Sequence, residues 1–313
     1  MKKFSLPVIF GFSLAGIGLV LIVIFSFSDA FNDGSWTLNA ENADNYGGFI
    51  GGLIGPIFSL AGFLLLYETI VAQRLSFDRQ QRLFEIQQFE TKVFDLIHIH
   101  RDNVSQMVHR VPWDDNNYYE KARVFIEMRS QFSSLFKIVK AAIDKAVTIS
   151  VDNKEKASIN IAYLILFFGV SKATRPDLEH FLSKYGYDKP LTDPIISKIY
   201  LKKTKYNSKT VYYGGHQVRL GHYFRHLFQT VRFVDKATFL EPPQRYEYVK
   251  TLRAQLTQYE LGIFFLNSLS IGDEWEKNKY ITTYEMIKNL PKNFIEDINP
   301  KDYYRDFKYE WEK

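Results

Sequence analysis

The sequence predicts an all-α protein. It reads as an N-terminal two-helix transmembrane hairpin, a second span continuing into a long cytoplasmic helix, and then a helical bundle domain. Three observations predict this. Gly47 to Leu66 is a run of 20 residues without a charge. At 1.5 Å per residue it makes about 30 Å of helix, the thickness of a bilayer core. The run passes without a Gly or Pro break into a charged segment that keeps a helical period. Beyond it, apolar residues recur three and four apart, and strand-like patterning is confined to a small β-hairpin near 209–220. The expected division is a hairpin at 1–70, with spans at about 6–27 and 47–67. A juxtamembrane stalk at 71–110 and a cytoplasmic helical domain at 111–313 follow.

Composition sets bounds. The chain has 313 residues, 46% of them apolar, with 27 Phe and 20 Tyr, which argues against disorder. It has no cysteine, which excludes disulfide frameworks, Cys-zinc sites, iron–sulfur clusters and cysteine nucleophiles. Of 40 Lys and Arg, 38 lie from residue 74 onward, with 30 of the 35 Asp and Glu, so that part carries about +8. Such a surface suits anionic lipid or nucleic acid and does not choose between them.

Leu6 to Phe27 is the first apolar run, preceded by Lys2 and Lys3. A cleaved signal peptide normally has an apolar core of about 7–15 residues, so this run reads as a span. Residues 28–46 hold four acids and no base; Arg74, Arg79 and Arg82 follow the second span. The positive-inside rule then places both termini in the cytoplasm of a bacterial inner membrane, with the acidic loop outside. Gly47, Gly48, Gly51, Gly52 and Gly55 set small residues four apart, as do Gly11 and Ala15. Such spacing lets helix backbones approach closely, either within the hairpin or between protomers. Pro56 predicts a kink.

In the stalk, Leu83, Ile86, Phe89, Val93, Leu96, His100, Val104 and Met107 form a seam. It reads as a core helix or as a stalk pairing protomers. Phe125, Met128, Phe132, Leu135 and Val139 mark an amphipathic helix between Tyr118 and Val147. The run IAYLILFFGV is too short to cross a bilayer and reads as a buried helix. Pro176 opens a short helix capped at Gly186, and Asp193-Pro194 reads as another helix start. Residues 194–234 carry eight Lys or Arg and no acid. Lys202, Lys203, Lys205, Lys209 and Arg219 are therefore candidates for binding lipid or phosphate backbone. The favoured reading is a solvated basic loop facing the anionic membrane surface or the domain's own acids. KTVYYGGHQVRL reads as the small hairpin, turning at Gly214-Gly215.

Two helices carry the candidate site. Gln217–Lys236 has an apolar stripe at Leu220, Tyr223, Phe224, Leu227, Val231 and Val234, which leaves His222, Arg225 and His226 on the polar side. Gln244–Ser270 reads as one helix with Arg253, Glu260 and Asn267 seven apart on a second face. Its second half is apolar nearly all round, so Glu260 and Asn267 need partners. The pattern predicts antiparallel packing with a polar seam of Arg225 or His226 against Glu260. That seam serves either helix register or a site.

The blocks YGGFIGGLIGPIFSLAGFLLLYETIVAQ, YFRHLFQTVRFVD and LRAQLTQYELGIFFLNSLS resemble, in order and spacing, the AbiC-like family of phage abortive infection proteins. The resemblance runs from about 45 to 290 and includes ITTYEMIKNLP. It implies a role in antiphage defence, in which an infected cell halts or dies before phage matures. It supplies no catalytic residues.

Three functions are consistent with these residues. One is a membrane-anchored effector or sensor acting through oligomerisation, with the lipid bilayer and further copies of itself as partners. The second is a membrane-tethered ribonuclease using an Arg…His pair, Arg175 with His180 or Arg219 with His226. The third is a non-enzymatic scaffold that recruits a partner defence protein or binds a phage component. Nucleic acid is not favoured as a partner, and no cofactor is implied. No phosphate loop, HExxH, GxSxG or Rossmann glycine pattern occurs. No metal site is expected, because His98 and His100 point different ways from a helix.

Overall fold

A computed structural model describes residues 5–28, 40–110, 118–145, 154–205, 214–295 and 298–312. The chain divides into two compact units, Met1–Glu90 and Thr91–Lys313.

In the first unit, α1 (Leu6–Ser26) has Pro7 in its opening turn, where the missing N–H costs nothing. Leu6, Phe10, Phe12, Val20 and Ile24 are all exposed on it. A helix apolar all round suits lipid and not water. The second helical run is continuous from 40 to 105: α2 (Ala40–Phe49), a π turn (Ile50–Ile54) and α3 (Gly55–Ser105). The strain expected at Pro56 is met by that π turn, in which the Gly55 N–H reaches Ile50 O. A wider turn relieves the crowding between a proline ring and the carbonyl four residues back. Both α1 and the apolar part of the second run are long and apolar enough to cross a membrane.

The two helices approach at the glycines of α1. A methyl on Gly11 would come 3.1 Å from Leu65, and one on Gly18 would come 3.2 Å from the Phe58 ring. Ser26 and Tyr46 hydroxyls lie 3.2 Å apart. Gly47, Gly48, Gly51 and Gly52 face open space, and Gly55 meets only its own helix.

The second unit opens with the end of α3, followed by a two-stranded antiparallel sheet, β1 (Val108–Arg110) and β2 (Tyr118–Glu120), with His109 opposite Tyr119. Tyr118 therefore begins a strand and not a helix; α4 (Arg123–Ile143) starts after it. α4 buries Phe125, Met128, Phe132, Leu135 and Val139, as their spacing predicts. α5 (Lys154–Phe168) is buried nearly all round and packs along α4. α6 (Arg175–Lys184) ends at Gly186, whose φ of +79° is the left-handed cap conformation. α7 (Lys189–Lys205) starts before Asp193-Pro194, so that pair is not the helix start expected. Pro190 supplies the fixed φ in the first turn, and Pro194 forfeits only the bond to Pro190 O.

α8 (Gln217–Asp235) is followed by α9 (Pro242–Arg253), α10 (Gln258–Ser268), α11 (Asp273–Lys277) and α12 (Tyr280–Thr283). α10 packs against both α4 and α5. The hairpin expected near 209–220 is not formed over its described half, because α8 begins at Gln217; residues 206–213 lie outside the described residues. The period-3.6 stripe starting at Leu220 overrides the strand pattern. Gly214-Gly215 is a contact instead of a hairpin turn. Gly215 has φ +87°, and a Cβ there would lie 2.4 Å from Phe168 O. The His216 N–H donates to Phe167 O at 2.8 Å, docking the start of α8 on the end of α5.

The helix expected at 244–270 is two helices. Thr257 caps α10: its hydroxyl accepts the Glu260 N–H, and the Glu260 carboxylate accepts the Thr257 N–H. A threonine followed three residues later by glutamate is a helix start, and it breaks the longer periodic run.

Candidate functional site

α8 sets the site. Its apolar face, Leu220, Tyr223, Phe224, Leu227, Val231 and Val234, is buried. Its other face does not simply meet solvent. Arg219, His222 and His226, spaced three and four, meet the end of α3 and the strand after it. Arg219 Nε donates to Val108 O at 2.8 Å. His222 Nε2 lies 3.2 Å from Asn103 Oδ1. The His226 ring stacks on His100 at 6.0 Å. Arg225 lies beside this face and is exposed.

The expected partner of Glu260 is corrected. Tyr223 OH donates to Glu260 Oε1 at 3.1 Å, and Thr257 donates to Oε2 from both its N–H, at 2.9 Å, and its hydroxyl, at 2.7 Å. Among the described residues Glu260 bonds to neither Arg225 nor His226; the α8 residue that faces it belongs to the stripe read as apolar. His100 Nε2 is 3.8 Å from Glu260 Oε1, beyond hydrogen-bond reach. Burial, then the neighbouring His226, pushes the His100 pKa down to about 4, so the ring is neutral and this is not an ion pair. Burial raises the Glu260 pKa, against the pull of its Thr257 and Tyr223 bonds. Burial and Glu260 raise Tyr223 well above the usual phenol. Burial, then His222, lowers His226, and neither ring nitrogen of His100 or His226 has a hydrogen-bond partner among the described residues. Two neutral histidines, a phenol and a carboxylate of raised affinity for protons thus share one buried junction of α3, α8 and α10.

Arg253 and Asn267 bond elsewhere: the break at 254–257 takes Arg253 out of the seven-residue register with Glu260, while Asn267, two turns on from Glu260 in the same helix, reaches α5 instead. Arg253 Nη1 donates to Tyr284 O at 3.0 Å and Glu285 O at 2.8 Å. It thereby clamps a turn in which Glu285 has φ +48°, a strained value for a residue with a side chain. Asn267 Nδ2 donates to Tyr163 OH at 2.9 Å, tying α10 to α5.

A second polar cluster was not foreseen. His216 Nε2 donates to Gln131 Oε1 at 2.8 Å, and Gln131 Nε2 donates to Glu127 Oε1 at 3.0 Å. The His109 and His216 rings meet at 5.1 Å. Burial, then Arg219, pushes His109 down to about 4. Gln131 sits on the buried face of α4, among the spacing of the core residues; a polar residue in that register was the available signal. Where the α3–α8 seam reaches the surface a cleft of about 670 Å³ opens, with Asn103, Gln106, Val108, Arg219 and His222 in its lining.

Arg175 is held by Glu179 at 2.6 Å and Asp193 at 3.4 Å, and His180 is exposed. Arg219 and His226 share a face of α8, with the His226 ring turned against His100. Among the described residues no group of three or more His, Asp or Glu is placed to hold a metal ion. The side chains of Lys202, Lys203 and Lys205, and all of Lys209, lie outside the described residues.

No curated protein and no solved structure matches the chain. The matched family model is described as putative phage abortive infection protein and covers residues 215–295. The match holds α8, α9, α10 and the turn clamped by Arg253, but not His100 or Asn103 on α3, nor the glycine-rich stretch from Tyr46. Over residues 215–295, where Tyr223 meets Glu260 and Arg253 holds its turn, the chain matches the phage abortive infection family.

Proposed function

We propose that the chain is an antiphage defence protein of the bacterial inner membrane, held by a two-pass hairpin with both termini in the cytoplasm. It acts as an effector or sensor through self-association. One observation carries this reading. The helix that holds the uncharged 20-residue stretch runs on unbroken to His100 and Asn103. Those residues touch His226, Tyr223 and His222 inside the stretch that matches the abortive infection family. A displacement of α3 therefore reaches the family region through direct side-chain contacts, with no linker to absorb it.

A plaque assay tests the reading. Cells making the intact chain should show clearly fewer plaques than empty cells. A chain lacking residues 1–70 should give counts like those of empty cells. Full protection by that shortened chain would remove the membrane from the mechanism. Normal plaque counts with the intact chain would remove the defence role. His226→Ala and Glu260→Gln, made in the intact chain, ask whether the junction transmits the signal; both should lose protection while the protein stays in the membrane.

A further inference from the structure

Phe63, Ile70, Phe77 and Phe84 stand seven residues apart on α3, and they are 64%, 42%, 67% and 57% exposed. Leu66, Gln73, Gln80 and Gln87 repeat the same interval three residues further on, and all four are exposed. These are the a and d positions of a heptad sustained over three full intervals. From Leu75 to Gln88 every charged residue, Asp78, Arg79, Arg82 and Glu85, falls at b, c or f, away from the stripe. This stripe is not the face α3 buries. Phe89, Val93, Ile97 and His100 are buried, and at 100° per residue they lie about 140–220° around the helix from Phe84. The seam foreseen in the stalk follows that buried face from Phe89 onward, while Leu83 at its start is exposed; the Phe stripe is a second face.

Lipid covers Phe63 and Leu66 if the apolar stretch spans a bilayer. It does not explain Phe77 and Phe84, which lie about 16 and 27 Å further along the helix, among charged residues. A lone helix exposed on all sides in water is marginal, and two bare phenylalanines make it worse. The interval is unchanged across the passage from apolar to charged sequence, so one partner runs beside the helix through both.

We infer that this partner is a second copy of the same chain, paired in parallel and in register along α3 from Phe63 to Gln87. The inference rests on the proposed membrane insertion. Two copies leaving one bilayer at one depth and in one direction bring each heptad position opposite itself. Each phenylalanine then packs on its counterpart. The Gln73 and Gln80 amides can each both donate to and accept from their twins, which a charged residue in those places could not do. The stripe drifts about 60° over three heptads in a straight helix, and a left-handed supercoil cancels the drift. Confinement to a plane raises the effective concentration of the two helices, so modest contacts suffice.

The absence of cysteine makes the test direct, since each added cysteine is the chain's sole thiol. Phe77→Cys, Phe84→Cys, Arg79→Cys and Arg82→Cys are made one at a time in the full chain and oxidised in native membranes. Carbonate extraction of the same membranes reports insertion separately. Disulfide-linked dimer should form at 77 and 84 and fall at least about tenfold at 79 and 82, which point away from the seam. Equal yields at all four positions, a maximum at 79 or 82, or adducts of another mass would overturn the pairing. Because a cysteine could disturb packing, the cysteine-free chain is also weighed in lipid nanodiscs. It should be a dimer, and Phe77→Lys/Phe84→Lys should be a monomer. A monomeric parent chain overturns the inference even if the chain still protects cells from phage.

Discussion

Burial decides the protonation of His100, and so the acid stability of the junction around it. With its folded pKa near 4 and an unfolded value near 6.5, the unfolded chain binds a proton that the folded chain refuses between those values. The stability His100 contributes is complete above pH 6.5 and is lost as pH falls towards 4, by up to about 3 kcal/mol. His109, also held near 4, acts in the same direction. Glu260 opposes them: its raised pKa means the folded chain keeps a proton that the unfolded chain releases, so stability falls as pH rises through that window. His100→Phe preserves a ring against Tyr223 and His226 without a titrating group. In the full chain in detergent, its denaturant midpoint should change less than that of the unsubstituted chain between pH 6.5 and 4. Parallel curves would show that His100 is solvated in the folded protein. None of this was legible in the sequence, where His100 occupies an apolar stripe and Tyr223 counts as one more aromatic. A helical wheel sorts residues by face, but it does not say which hydroxyl on the apolar face finds a carboxylate.

Element by element, periodicity located most helices, and local backbone chemistry decided where they stop. The stripe of α4, the buried run of α5 and the cap at Gly186 followed from spacing and from a glycine with positive φ. The errors have local causes. In 244–270 the apolar spacing continues through 254–257, so the periodic signal is blind to a break that the Thr257–Glu260 exchange creates. At 214–220 the glycine pair was read for its turn propensity, while its role is a close approach to Phe168 and Gly169. Asp193-Pro194 was outcompeted by a start four residues earlier. Seven-residue spacing joined Arg253 to Glu260 only while the helix was thought continuous; Glu260 and Asn267 keep that spacing within α10 but bond to different neighbours, Tyr223 on α8 and Tyr163 on α5. Thr257 is accordingly more than an ordinary cap. Thr257→Val removes the acceptor for the Glu260 N–H and one of the donors to a buried carboxylate. Caps contribute about 0.5–2 kcal/mol, and a buried charged group that loses a donor adds about 1–3. The expected loss is at the upper end of the combined range, read as a lowered denaturant midpoint with unchanged slope. Thr257→Ser should recover most of it. A loss below about 0.5 kcal/mol for the valine variant would mean that water replaces the hydroxyl and that α9 and α10 separate for another reason.

At the scale of the whole molecule, the charge is as unevenly placed as the hydrophobicity. Arg74, Arg79 and Arg82 balance Asp78, Glu85 and Glu90, so the excess of about +8 belongs to the unit Thr91–Lys313. A positive body tethered to a bilayer gains from anionic lipid only within about a Debye length, roughly 10 Å at 0.1 M salt. Each basic residue that comes so close contributes about 1 kcal/mol. If the tether brings the basic surface to the membrane, residues 91–313 made without the helical hairpin should still associate with vesicles rich in phosphatidylglycerol at low salt. Association should disappear at about 0.5 M salt, where the Debye length falls to a few ångströms. Vesicles of phosphatidylcholine alone should not bind it. Binding that ignores salt would instead point to the exposed apolar residues, Val218 and Phe239 among them, as the contact. No binding at low salt would mean that the positive residues of this unit serve a partner other than lipid, and that the proposed membrane attachment rests on the apolar helices alone.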